Sequence, residues 1–189
     1  LSANSPLGYG DKFGINGVIS TKTDLKNGKV YYNFPLMANG LRGEISAAKT
    51  TYSLAEDYAA LDALGHSTSL EALLSYPLIR TRLETLNLSL GLVHKEMEDE
   101  VRSTATLTKK ESDALNIGAS YTKNDTLFGF NSTLSTQVTL TMGDLDSPTN
   151  TDTDGSYSKI AGSMEQGVEF TPEYALTASL RFQKALNNK

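Results

Sequence analysis

Leu86-Asn87-Leu88-Ser89-Leu90-Gly91-Leu92-Val93 decides the fold. Leucine at every second position, with small or polar residues between, is a β-strand with two different faces. The same alternation runs through Leu115–Tyr121, through Phe128–Met142, through Ile160–Phe170 and through Leu176–Phe182. Fainter versions occupy Phe13–Ile19, Val30–Leu36, Leu41–Ala47 and Leu70–Tyr76. The pattern predicts about nine strands and an all-β chain, with a possible helical turn at Ala55–Leu64.

The connections alternate as well. Short turns are expected at Ala38–Asn39–Gly40, Arg80–Thr81, Lys123–Asn124–Asp125 and Thr171–Pro172–Glu173, with a type I′ hairpin at Asn-Gly and Pro172 at position i+1 of a type I turn. Longer polar links are expected at Thr21–Lys29, Ser53–Ser67, Glu96–Ser112 and Gly143–Ser156. Short and long in strict turn describe an antiparallel up-and-down meander with tight turns at one rim and long loops at the other, the outline of a transmembrane β-barrel. Strands of about ten residues fit a tilted membrane crossing.

Aromatic residues point the same way. Phe34, Tyr76, Tyr121, Phe128, Phe170 and Tyr174 flank the short turns, while Tyr31, Tyr32, Tyr52 and Tyr157 flank the long links. Two such clusters predict girdles at both membrane interfaces. One face of the strands is Leu, Ile, Val, Phe and Ala. The other is small and polar, with Arg42, Glu44, Glu71, Glu165, Glu169 and Arg181 among its residues. Those charges are expected to line a wet lumen and to pair across strands. Alternation leaves inside and outside open, so a soluble ligand-binding β-barrel with its apolar face inward stands as an alternative.

Composition bounds the function. The chain has 189 residues, and 17 Lys and Arg stand against 22 Asp and Glu, a net charge of −5. That balance speaks against a nucleic-acid partner. There is no cysteine, which removes disulfides, thiol nucleophiles and Cys-based zinc sites. Mean hydropathy is −0.30, and no apolar run is long enough for a membrane helix.

Chemistry-bearing motifs are scarce. Asn150-Thr151-Asp152-Thr153-Asp154-Gly155 resembles the start of an EF-hand loop, but Ala161 stands where the bidentate glutamate belongs. Glu96-Met97-Glu98-Asp99-Glu100 reads as a solvated loop. His66 and His94 lack the spacing of a metal or catalytic pair, and no G-x-S-x-G surrounds a serine. No catalytic residue, metal, cofactor or nucleotide-binding motif is expected, so the chain is not read as an enzyme.

Several segments, in order, carry a family resemblance. Ser5-Pro6-Leu7-Gly8-Tyr9-Gly10-Asp11 resembles the entry to the first barrel strand of two-partner secretion transporters, the haemolysin secretion/activation proteins of bacterial outer membranes. Tyr32-Asn33-Phe34-Pro35-Leu36 is similar to that family's second strand. Tyr52-Ser53-Leu54 with Tyr58–Gly65 resembles its first large external loop, and Tyr76-Pro77-Leu78-Ile79-Arg80-Thr81 resembles its Y-P-L-I-R hairpin. The motif residues are therefore Pro6, Gly8, Gly10, Asp11, Pro35, Tyr76, Pro77 and Arg80. The resemblance covers about the first half of the chain; Leu176–Leu186 is similar to a later family strand.

The resemblance implies an outer-membrane transporter that exports a large secreted partner protein to the cell surface, without nucleotide hydrolysis and in contact with outer-membrane lipid. Residues 1–189 would be the N-terminal part of its barrel domain, without POTRA domains and later strands. Leu1–Asp11 show none of the features of a secretory signal, which fits a piece of a longer protein. A passive outer-membrane pore is the other reading.

Overall fold

The computed structural model describes residues 1–20, 24–53, 63–148 and 154–188. Most of the possible turn at Ala55–Leu64, most of the Tyr58–Gly65 motif and most of the EF-hand-like stretch lie outside them; Ala63 and Leu64, the last two residues of that turn, are strand.

Ten antiparallel strands form one sheet in sequence order. They are β1 (Ser2–Asn4), β2 (Lys12–Ile19), β3 (Lys26–Pro35), β4 (Arg42–Ser53), β5 (Ala63–Arg80), β6 (Glu84–Val101), β7 (Thr106–Leu127), β8 (Phe130–Asp146), β9 (Gly155–Thr171) and β10 (Tyr174–Asn188). Every strand pairs with its sequence neighbours, so the expected meander is the observed one. The strand count rises by the short β1, whose three residues carry too little alternation to be read as a strand.

The strands from β5 to β9 are longer than expected, reaching 22 residues in β7. Glu96–Ser112, expected as a loop, is largely strand: β6 and β7 stay paired from Glu84↔Lys123 to Val101↔Thr106. Only a 3-10 turn at Arg102–Thr104 closes them, with Ala105 at φ 51. Charge misled the reading there, because acidic side chains on a strand that faces water look like a solvated loop.

The turns also moved. Lys123–Asn124–Asp125 is strand, and the reversal falls at Phe128–Gly129, both with positive φ (53 and 85), as a type I′ turn requires. At Asn39–Gly40 only Gly40 has positive φ (97). Gly40 N–H donates to Met37 O at 3.3 Å, so this connection is not the expected type I′ hairpin. At Pro172–Glu173 neither residue has positive φ, and the register shifts directly after the turn, between Tyr174 and Ala175. Unprimed turns splay antiparallel strands, and the shift absorbs that splay.

Register sorts the side chains. Leu88, Ala119 and Val138 form one row, and Leu90, Ile117, Leu140 and Ile160 the next. The opposite side carries Asn87, Ser120 and Gln137, then Ser89, Gly118 and Thr139, then Gly91, Asn116 and Thr141. Among the described residues Val168 is the one buried apolar side chain, while Leu88, Leu90, Leu92 and Ile117 are exposed. Between them, Ser89, Gly91, Asn116 and Ser112 are half-buried or buried. The polar side is thus the occluded, concave side, and the apolar side is convex. A ligand-binding barrel with its apolar face inward would show the reverse curvature.

Glycines sit where a ring must lie flat against the backbone. A Cβ on Gly14 would fall 2.3 Å from the Tyr31 ring, one on Gly65 2.4 Å from Tyr52, and one on Gly143 2.7 Å from Tyr157. Aromatic side chains laid over glycines of the adjacent strand cover exposed backbone and pin register. Tyr31, Tyr52 and Tyr157 all project from the polar side, opposite Gly14, Gly65 and Gly143. The expected girdle beside the long links is therefore absent among the described residues. Tyr32 faces the apolar side but reaches toward the short-turn rim, where its hydroxyl meets Asp11.

Candidate transport face

The convex apolar band has measurable limits. On β6 the first outward charges are Glu84 and His94. The ten residue steps from one to the other span about 33 Å, or about 25 Å after a tilt near 40°, the height of a barrel's lipid-facing band. At the short-turn edge of this band stand Phe13, Tyr32, Phe34, Tyr76, Tyr121, Phe130 and Phe170. Tyr32 stacks on Phe34 with centroids 5.5 Å apart, and Phe130 meets Phe170 edge-on at 5.1 Å. One aromatic girdle is present, on the face where a girdle belongs.

The six charges expected in the lumen all project from the concave side. Arg42 is opposite Ser75, Glu44 opposite Leu73 and Glu71 opposite Ser46. Glu165 is opposite Ser135, Glu169 opposite Asn131 and Arg181 opposite Ser163. Their expected pairing with one another does not occur: among the described residues no ion pair joins Arg42 or Arg181 to a glutamate. The register puts neutral residues across from each charge.

Arg42 Nε donates to Asn33 Oδ1 at 2.6 Å, and Asn33 Nδ2 donates to Glu44 Oε2 at 3.2 Å. Glu71 accepts from Ser46 Oγ at 3.5 Å and lies 3.7 Å from Lys29 Nζ. Between the charges, Thr141 Oγ1 donates to Asn116 Oδ1 at 2.7 Å, and the Ser112 and Tyr157 hydroxyls are 3.0 Å apart. This surface offers hydrogen-bond donors and acceptors.

The motif residues gather at the short-turn rim. Asp11, just ahead of β2, is buried at 2% exposure. Its Oδ2 accepts from Leu7 N–H at 3.2 Å and from the Tyr32 hydroxyl at 3.0 Å, and its Oδ1 from Tyr9 N–H at 3.3 Å. Gly10 N–H donates to Ser5 Oγ, and Arg42 Nη2 donates to Gly10 O at 2.9 Å. Gly8 and Gly10 have φ of 83 and 73, which lets the loop from Pro6 coil around the carboxylate. Pro35 ends β3 opposite Arg42, a strand terminus where its missing N–H does no harm. Pro77 packs over Gly40, whose Cβ would fall 2.8 Å from Pro77 Cγ, and the register shifts just beyond it. Tyr76 belongs to the girdle and Arg80 closes β5 opposite Thr85.

Burial pushes the Asp11 carboxyl upward, but the hydrogen bonds from its surroundings outweigh that and hold its pKa below the usual carboxylate value. The loop's stabilisation is thus present above the ordinary carboxylate range and lost as pH falls through the lower folded value. Asp11→Asn is expected to raise amide hydrogen exchange at Leu7 and Tyr9 at neutral pH, and wild type is expected to approach the variant only in acid. Unchanged exchange in the variant would remove Asp11 from this role.

His94 is not legible as a partnered group from the sequence because two of its three neighbours, Asp113 and Glu111, lie on the adjacent strand. Asp113 Oδ1 lies 2.8 Å from Nδ1, while Glu111 and Glu96 oxygens lie 3.5 and 3.6 Å from Nε2. His94, Glu96 and Glu111 form the one grouping among the described residues with atoms close enough to share an ion, and ion pairing with His94 accounts for it.

Comparison with known proteins matches residues 1–188 to the family described as haemolysin secretion/activation protein ShlB/FhaC/HecB. The chain is 27% identical over 115 residues to the heme/hemopexin transporter protein HuxB of Haemophilus influenzae strain 86-028NP, covering 61% of this chain and 20% of HuxB. It is 26% identical over 111 residues to HuxB of strain ATCC 51907, covering 59% and 20%. The chain therefore spans about a fifth of the length of these relatives. Among solved structures it is similar to CdiB from Acinetobacter baumannii, with a TM-score of 0.66 at 13% identity, covering 98% of this chain and 34% of CdiB. The likeness extends over nearly the whole chain and shows a shared β-barrel fold.

Proposed function

The chain belongs to the haemolysin secretion/activation protein family, and from that premise we propose that the intact protein lies in the bacterial outer membrane and exports a large partner protein to the cell surface. Residues 1–189 supply an early part of its barrel domain. The convex apolar band faces lipid, and the concave face with Arg42, Glu44, Glu71, Glu165, Glu169 and Arg181 lines the path of the exported chain. Export proceeds without nucleotide hydrolysis and without catalysis by this chain.

The observation that carries this reading is the curvature: polar side inward, apolar side outward, over a band of membrane height. A lumen of neutral hydrogen-bonding groups with separated charges suits an extended polypeptide, whose backbone needs donors and acceptors but no fixed sequence. The transporter role of the HuxB relatives agrees with it.

The test is surface delivery of the genetically linked exoprotein by cells with and without the intact protein. Exoprotein at the surface only when the protein is present is the expected result. Exoprotein retained in the periplasm, while small solutes pass freely, would replace export by a passive pore. Export that persists when periplasm-like vesicles carrying the protein are depleted of nucleotide checks the energetic claim.

A further inference from the structure

Beyond Leu92 the outward side of the sheet changes from apolar to charged within one step along the strand. Two adjacent rows cross β6, β7 and β8 there. His94, Asp113 and Asp144 make the first, and Glu96, Glu111 and Asp146 the second. Residues directly opposite on one face lie about 4.5–5.5 Å apart at Cβ, and like charges so placed destabilise a sheet. Here Glu96 opposes Glu111, Glu111 opposes Asp146 and Asp113 opposes Asp144.

His94 is the group positioned to offset this repulsion, with Asp113 on Nδ1 and both Glu96 and Glu111 within reach of Nε2. Among the described residues no cation other than His94 stands directly opposite a carboxylate of these two rows, and the nearest in a row, Lys49, is two strands from Glu96. β5 presents Leu70 to His94 and Thr68 to Glu96. Beyond it, β4 sets Ala47 opposite Leu70 and Lys49 opposite Thr68. β9 presents Ser156 to Asp144. In the next row outward, Lys109 is engaged with Glu98 at 3.1 Å.

We propose that the outward ends of β6, β7 and β8 form a proton-operated clasp, in which protonated His94 holds the opposed carboxylates together and neutral His94 lets β7 and β8 separate at Glu111–Asp146 and Asp113–Asp144. The clasp stands above the apolar band, outside the membrane-crossing segment, and does not depend on what the barrel carries. The hydrogen bond to Asp113 raises the His94 pKa, desolvation opposes it, and the charge of Asp113, the hydrogen bond to Glu96 and the charge of Glu111 raise it further. A group with a raised folded-state pKa contributes stability that is complete below its ordinary value of about 6.5. That contribution is lost as pH rises through the folded value. The strand ends are therefore closed in mild acid and loosened in mild alkali.

The experiment is amide hydrogen exchange on the intact protein in liposomes, with EDTA present so that a proton and no metal is read. Rates at Glu111–Ala114 and Gly143–Asp146 are divided by intrinsic rates at each pH from about 5.5 to about 8.5. Wild type is expected to lose protection progressively as pH rises across that range, the direction set by the raised His94 pKa. His94→Gln is expected to show a flat profile, and Asp113→Asn a transition at lower pH. A flat wild-type profile, or a response that survives in His94→Gln, overturns the clasp. Should His94→Gln fail to assemble, an unmoved midpoint in Asp113→Asn overturns it equally.

Discussion

Leu90→Arg is expected to destabilise the intact protein in a bilayer by about 2–4 kcal/mol, the cost of a cationic side chain at the midplane of a barrel's lipid face. Leu90 is 44% exposed on the convex side, in a row with Leu74, Ile117 and Leu140. It stands near the middle of the band between Glu84 and His94, the first outward charges of β6. Asn116→Arg is its control, since Asn116 is on the concave side opposite Gly91 and Thr141 and can extend into water. Urea unfolding of both variants in liposomes reads the difference. Equal costs at the two positions would mean that the convex side does not face hydrocarbon.

Gly143→Val is expected to cost about 1–3 kcal/mol by overpacking. The added Cβ would stand 2.7 Å from the Tyr157 ring and 2.8 Å from the backbone oxygen of Asp113. The ring could rotate away, but the backbone oxygen belongs to the β6–β7–β8 ladder and cannot move without breaking pairs. Gly167→Val is the matched control, because its nearest neighbour to a new Cβ lies at 3.9 Å. The same unfolding measurement separates them, and a Gly143→Val variant as stable as Gly167→Val would show that Tyr157 does not clamp this site.

These contrasts mark what the sequence could reveal. Period-two alternation is a property of single strands, so the strand faces and the meander were legible from Leu86–Val93 and its counterparts. Register across strands is not written in any one strand. That is why Tyr31, Tyr52 and Tyr157 read as girdle residues until pairing set them over Gly14, Gly65 and Gly143 on the polar side. It is also why the expected pairing of Arg42 and Arg181 with glutamates failed, and why His94 looked solitary.

The motif residues behaved differently. Pro6, Gly8, Gly10 and Asp11 are close in sequence, and their likeness to a known family was visible at once. Their physical role, a loop coiled on one buried carboxylate, needed Tyr32 and Arg42 from two other strands. Length was the remaining miss: β7 runs on through Lys123–Asn124–Asp125, where turn-forming residues are overridden by pairing with Leu134, Thr133 and Ser132.

The strand order has a consequence for how such a molecule is built and altered. The backbone of each strand pairs only with the strand before and the strand after, so each ring closure during growth of the sheet spans a single hairpin, and its entropic cost stays small. Growth of the sheet can then proceed as a zipper, one hairpin at a time, with no distant segment awaited. A duplicated or deleted pair of strands leaves every other pairing as it was. Lineages carrying this architecture can change girth in steps of one hairpin without inventing a new topology.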